Sequence, residues 1–176
     1  MKDESSKASV DDVMLFAAKW HANQKWGDLP YTEHLSRVAD KVLFWAKHFN
    51  LDEQLSDLTK AAWLHDVLED TDVSSDDVVK IAGKTATEIV LAVTDEPGRN
   101  RKEKKKNTYP KIKANPSAVF IKLCDRLVNI ENSVNNEASS KYLGMYKKEH
   151  PEFEEALRSP GQYDLLWDEI NRLLKR

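Results

Sequence analysis

The chain has 176 residues, 40% of them hydrophobic, a single cysteine (Cys124) and a formal net charge of −3. This is enough apolar material for a core in one domain, it excludes intrachain disulfides and thiolate metal sites, and the negative balance argues against a general nucleic-acid-binding surface. No apolar run approaches bilayer-spanning length and the first residues lead into no signal-type segment, so a soluble, cytoplasmic protein with no membrane partner is expected.

Residues 1 to 8 read as a frayed tail and residues 9 to 176 as one all-α domain. Ser9 is a plausible N-cap for a first helix through Val13, Met14, Phe16, Ala17 and Trp20, ending near Gln24. Lys25 to Tyr31 carries turn signals, and Pro30 excludes a helix interior there. Thr32 or Glu33 opens a second helix with His34 in its first turn and a stripe of Leu35, Val38, Ala39, Val42, Leu43, Trp45 and Ala46. Asn50 stops it. Asp52 opens a third helix with Leu55, Leu58, Ala61, Ala62 and Leu64 inside, expected to carry His65 and Asp66 at its buried end.

Ser74 or Ser75 caps a fourth helix closed by Gly83, and Thr85 starts another that breaks at Pro97-Gly98. A basic segment follows. Tyr109-Pro110 and Asn115-Pro116 bracket a short piece, and Ala118 to Ile130 reads as a strongly apolar, buried helix. Two or three C-terminal helices remain, one around Tyr142, Leu143 and Tyr146 and a last one from Tyr163 to Leu174, expected to pack on the domain. There are no internal repeats and no alternating-strand pattern.

The chemistry concentrates in Trp63-Leu64-His65-Asp66-Val67-Leu68-Glu69-Asp70-Thr71-Asp72. On a helix, His65 and Asp66 lie about 100° apart and can lean toward one point, while Glu69 and Asp70 fall one turn later over the same patch. Such a cluster beside Ala61, Ala62, Leu64 and Val67 is costly unless a cation or an exchangeable proton compensates it. A solvated helix C-terminus is the alternative, but acids there oppose the helix dipole.

Asp125 is an acid within an otherwise apolar helix. An ion pair with Arg126 is the structural explanation, yet adjacent helical residues do not face each other, so a metal ligand is the better reading. His34 is open between a core histidine and a ligand aimed from a helix start; His21, His48 and His150 lack acidic company. Two imidazoles and two carboxylates favour manganese, iron, zinc or cobalt over magnesium or calcium. The segment Arg99-Asn100-Arg101-Lys102-Glu103-Lys104-Lys105-Lys106 is basic, whereas residues 64 to 77 contain no lysine or arginine. An acidic site and a basic segment in one small chain suit metal-assisted chemistry on a phosphorylated small molecule.

His34, then His65-Asp66, then Asp125 follow the H…HD…D order of the HD-domain metal-dependent phosphohydrolases. With Pro30-Tyr31 before the first histidine, Glu69-Asp70, Val93-Thr94-Asp95 and Lys122-Leu123-Cys124-Asp125-Arg126-Leu127-Val128-Asn129, the chain resembles the hydrolase domain of RelA/SpoT proteins and the small alarmone hydrolases similar to metazoan SpoT homologues. The resemblance implies an HD-domain helical bundle, one Mn²⁺ on His34, His65, Asp66 and Asp125, and a water oriented and deprotonated by Glu69 and Asp70. It implies removal of the 3′-pyrophosphate from (p)ppGpp as a small-molecule nucleotide substrate; a departure from the family pattern at the first loop makes (p)ppApp the alternative substrate.

Candidate substrate contacts are Lys25, Trp26 and Tyr31 around the first loop, Arg99, Arg101 and Lys102 for phosphates, Lys122 and Asn129 beside Asp125, and Lys147 over the 5′ phosphates. The chain departs from the pattern in two places: its loop before Pro30-Tyr31 is short and offers Lys25 and Trp26 where the family carries a guanine-packing arginine, and Leu35 replaces the usual proline. The alternatives are a nucleotide 5′-phosphohydrolase of the wider HD group and a nucleotide-binding HD module without catalysis.

Overall fold

A computed structural model describes residues 8 to 176; the tail expected at the N-terminus falls, but for Ala8, outside the described residues. The described residues are helical apart from one two-residue hairpin, as the all-α reading requires. Their contacts group into two compact units, one up to Thr94 and one from Asp95.

In the first unit, α1 (Val10–Trp20) begins with a capping box in which Ser9 and Asp12 satisfy each other's backbone N–H groups. Lys25–Trp26 (β1) and Leu29–Pro30 (β2) pair antiparallel, Trp26 opposite Leu29. Gly27 at φ +62 starts the two-residue turn and Asp28 is not in the left-handed region, which makes it a type II′ turn suited to so tight a hairpin. Pro30 then caps α2 (Tyr31–His48), one residue earlier than expected. A 3₁₀ turn at Asp52–Gln54 leads into α3 (Leu55–Leu64).

That third helix packs against α1, α2, α5 and α6, and its Leu58, Ala61, Ala62 and Leu64 are fully buried. It stops at Leu64, so His65 and Asp66 lie in a break before a single turn, α4 (Val67–Asp70), and not on one continuous helix as expected. The cause is local: His65 Nδ1 donates to the carbonyl of Ala62 at 2.7 Å, taking one of the carbonyls that a helix leaves orphaned in its last turn. α5 (Ser75–Ala82) has a capping box from Ser74 and Asp77, and Gly83 joins it to α6 (Lys84–Val93).

In the second unit the basic segment is not a loop. It forms the first two turns of α7 (Arg101–Ala114), which runs on through Pro110. Asn100 caps its N-terminus by accepting from the Glu103 N–H at 3.0 Å. Gly98 lets the chain approach that helix, since a Cβ there would stand 2.6 Å from the Lys104 nitrogen. Asn115 caps α8 (Pro116–Asn135), with Pro116 at its first position. It is apolar on most sides and buries Phe120, Leu123, Leu127 and Ile130, the pattern of a central helix. Around it pack α7, a 3₁₀ segment at Glu137–Tyr142, α9 (Leu143–Leu157) and α10 (Asp164–Leu174).

One buried group of this unit sets a pH response. His150 Nε2 donates to Asn171 Oδ1 at 2.7 Å, while its Nδ1 is buried without a hydrogen bond. Burial therefore pushes its pKa below the usual imidazole value, against the raising effects of Asn171 and Glu154. A histidine harder to protonate when folded binds more protons when unfolded, so stability should be complete above its ordinary pKa and fall as pH drops below it. Melting curves between about pH 7 and pH 5 should show this loss, and His150→Phe should flatten it.

Candidate metal centre

Two segments of the first unit bring His34, His65 and Asp66 together. The first turn of α2 supplies His34, which is 2% exposed, and the break after α3 supplies the other two. His34 Nε2 lies 3.2 Å from His65 Nε2, and Asp66 Oδ2 lies 2.9 Å from His65 Nε2 and 3.6 Å from His34 Nε2. Ligands each about 2.1 Å from a divalent transition metal stand roughly 3.0 to 3.4 Å apart at right-angled to tetrahedral geometry; the three separations straddle that window, so small shifts of Asp66 would let the triangle close on one such ion.

The donor chemistry agrees. With its Nδ1–H given to Ala62, His65 presents Nε2 as the metal-facing nitrogen, an orientation typical of ligating histidines. Two imidazole nitrogens and a carboxylate oxygen at these separations need positive charge among them, from protons or from a cation. Burial raises the Asp66 pKa, but the His65 charge and hydrogen bonds from both histidines outweigh it and hold the carboxyl well below the usual range. Tyr31 donates to the same Oδ2 at 2.6 Å, which accounts for the tyrosine after Pro30 as a neighbour of Asp66.

Glu69 and Asp70 sit on α4 with exposed side chains, one turn beyond Asp66, and the N–H groups of both residues bond to the Asp66 carbonyl at 3.1 and 3.0 Å. Desolvation and the Asp66 charge raise the Asp70 pKa above the ordinary aspartate value, against His21 and a Tyr31 hydrogen bond. A carboxylate made more basic in this way is suited to accepting a proton.

Lys25 is exposed on the hairpin and Trp26 is half-buried, its ring 5.2 Å from the His34 ring and 5.2 Å from the Arg37 guanidinium. Arg37, one turn after His34 on α2, is a cation beside the hairpin that the loop sequence gave no reason to single out.

In the second unit, Asp125 is 8% exposed and faces Lys122 Nζ at 3.0 Å, while Asn129 Nδ2 donates to its Oδ1 at 2.6 Å. Arg126, the partner disfavoured from sequence, is directed elsewhere. Arg126 turns to Glu149 at 3.2 Å and lies over the rings of Tyr146 and Phe153. The cations at and just before the start of α7 are also engaged: Arg101 with Glu149 at 2.6 Å, Arg99 with Glu103 at 2.9 Å and Lys102 with Glu152 at 3.6 Å. Lys147 is exposed on α9.

No family model matches the chain. It is 30% identical over 134 residues to the zebrafish (Danio rerio) guanosine-3′,5′-bis(diphosphate) 3′-pyrophosphohydrolase MESH1, covering 73% of this chain and 71% of that one. The Drosophila melanogaster MESH1 is 32% identical over 129 residues, 71% of this chain and 69% of that protein. A Mycoplasma pneumoniae protein named "Probable guanosine-3′,5′-bis(diphosphate) 3′-pyrophosphohydrolase" is 31% identical over 139 residues, but the match spans 18% of its length. Among solved structures, one described as "A metazoan ortholog of SpoT hydrolyzes ppGpp and plays a role in starvation responses" superposes with a TM-score of 0.69 at 28% identity, covering 98% of this chain and 97% of that one. With its helical fold, its His-His-Asp triangle and relatives matched over most of both chains, the protein belongs to the MESH1 family of HD-domain guanosine-3′,5′-bis(diphosphate) 3′-pyrophosphohydrolases.

Proposed function

We propose that the protein hydrolyses the 3′-pyrophosphate of (p)ppGpp, with (p)ppApp as a second substrate, releasing pyrophosphate and leaving the 5′-nucleotide. The observation that carries this reading is the His34–His65–Asp66 donor triangle with Glu69 and Asp70 one turn beyond Asp66. A divalent metal, Mn²⁺ on the resemblance, would supply Lewis acidity there, lowering the pKa of water and neutralising charge that develops on the phosphoryl group. Asp125 is carried as the fourth ligand on the sequence pattern.

The protein's own groups supply the rest. Asp70, with Glu69, orients the attacking water and takes its proton as the new P–O bond forms and the bond to the ribose 3′ oxygen breaks, that oxygen leaving as a hydroxyl with a proton returned from solvent. Trp26 offers an aromatic face to the base; stacking reads purines weakly, which is why both alarmones are carried as substrates. Lys25 and Tyr31 beside that loop, Arg99, Arg101, Lys102 and Lys147 at the phosphates, and Lys122 and Asn129 on α8 complete the proposed contacts.

The decisive assay is purified protein with Mn²⁺ and either (p)ppGpp or (p)ppApp, followed by separation of the products. Pyrophosphate and the 5′-nucleotide are expected; no pyrophosphate from either substrate would overturn the proposal, and inorganic phosphate as first product would mark a 5′-phosphohydrolase. Asp70→Asn should lower kcat by about 10²-fold, the scale of a lost general base, with bound metal retained. Asp125→Ala should lower the metal content of the isolated protein as well as its activity. Full metal occupancy in that variant would remove Asp125 from the ligand set.

A further inference from the structure

Behind the triangle, on its hairpin side, three residues close a circuit of hydrogen bonds and ring contacts. The Tyr31 hydroxyl donates to Asp66 Oδ2 at 2.6 Å. The His21 ring is stacked on the Tyr31 ring, centroids 4.9 Å apart and planes at 21°. His21 Nδ1 lies 2.7 Å from Gln24 Oε1, Gln24 Nε2 donates to the Asp70 backbone carbonyl at 2.6 Å, and the Gln24 carbonyl accepts from the Tyr31 N–H at 3.1 Å.

The donors in this circuit are fixed by elimination. The Asp70 carbonyl can only accept, so the Gln24 amide must turn its NH₂ toward it. Its oxygen then faces His21, so Nδ1 must carry the hydrogen. His21 is 1% exposed, and its other nitrogen is buried without a hydrogen bond, so nothing besides Gln24 and the Tyr31 stack orients the ring by polar contact.

Asp70 needs such support. It ends α4, a helix of one turn, and so short a helix is not stable by itself. Two of its orphan carbonyls are taken by side chains, that of Val67 by Thr71 Oγ1 at 2.6 Å and that of Asp70 by Gln24. Gln24 thus reaches across 46 residues of sequence to hold the turn that carries Asp70, and Tyr31 reaches across 35 to hold Asp66.

We infer that His21, Gln24 and Tyr31 are positioning residues: Tyr31 aims the metal ligand Asp66, Gln24 fixes the turn bearing Asp70, and His21 locks the two to one another. The inference rests on the function proposed above for the roles of Asp66 and Asp70. It gives Tyr31 a place in the metal centre in addition to the substrate contact assigned from sequence.

Two conservative variants divide the circuit. Tyr31→Phe keeps the stack on His21 and removes only the hydroxyl; Mn²⁺ affinity, measured by calorimetric titration of the metal-free protein, should fall by about 10- to 100-fold, the effect of losing an outer-shell hydrogen bond. Gln24→Glu sets a carboxylate against the Asp70 carbonyl; kcat should fall by about 10-fold while Mn²⁺ affinity changes by less than about threefold, because the damage is confined to α4.

Both variants should keep the melting profile of the parent. Unchanged Mn²⁺ affinity with a raised KM in Tyr31→Phe would make Tyr31 a substrate contact and overturn the inference, as would a Gln24→Glu enzyme with parental kcat. The metal titration needs no substrate, so weakened Mn²⁺ binding in Tyr31→Phe would support the bracket even if the parent released no pyrophosphate, a result that would sink only the proposed reaction.

Discussion

Asp66→Ala is expected to strip the metal from the isolated protein and to lower pyrophosphate release by about 10⁴-fold, the scale of losing a Lewis acid and its activated water together. Asp66 brings the negative charge to the triangle, 2.9 Å from one imidazole and 3.6 Å from the other. Its removal leaves two neutral nitrogens, which hold a divalent ion weakly. Elemental analysis of the purified variant reads the metal, and a pyrophosphate assay reads the rate. Asp66→Asn tests the charge alone: it keeps the shape and an oxygen, and should lose most of the metal too. Stoichiometric metal in Asp66→Ala would remove Asp66 from the ligand set.

Glu149→Leu should destabilise the second unit by about 3 kcal/mol, the lower end of the cost of leaving a buried charge uncompensated, because Glu149 itself is partly exposed. The carboxylate takes Arg101 at 2.6 Å and Arg126 at 3.2 Å, and Arg126 is 7% exposed beneath the rings of Tyr146 and Phe153. The two guanidinium groups hold the Glu149 carboxyl below its ordinary pKa despite a burial effect that alone would raise it. The melting midpoint should fall by roughly 6 to 12 °C for a chain of this size. Adding Arg126→Met should recover much of that loss, since a hydrophobic side chain of similar volume replaces the stranded cation.

The helices that could be read from sequence are those with local signals. Ser9 with Asp12 and Ser74 with Asp77 are capping boxes within four residues, and Asn115-Pro116 marks the start of α8. The features that sequence concealed depend on distant groups. Pro110 argues for a helix end, yet α7 continues through it because Tyr109 and Ile112 are buried on either side. The hairpin at Lys25–Pro30 is too short to show alternation. The break at His65 comes from a side chain capping its own helix, which no periodicity records.

The site divides in the same way. His65 and Asp66 were legible from their spacing, His34 only from the H…HD…D order of the resemblance, and the triangle brings these three together. His21 and Gln24 were not, because their roles depend on a neutral ring and an amide meeting Tyr31 and Asp70 in space. For Asp125 the sequence argument against an Arg126 pair holds, since the arginine faces Glu149; the cation beside Asp125 is Lys122, three residues back on the same helix.

The His65 ring is tied to Ala62, and Asp66 to Tyr31, by hydrogen bonds from within the polypeptide. Two of the three donors are therefore set in place by the polypeptide alone. Chelation should leave a folded apoprotein that reloads without refolding, and for the proposed reaction the supply of metal in the surroundings should then act as a reversible throttle on turnover.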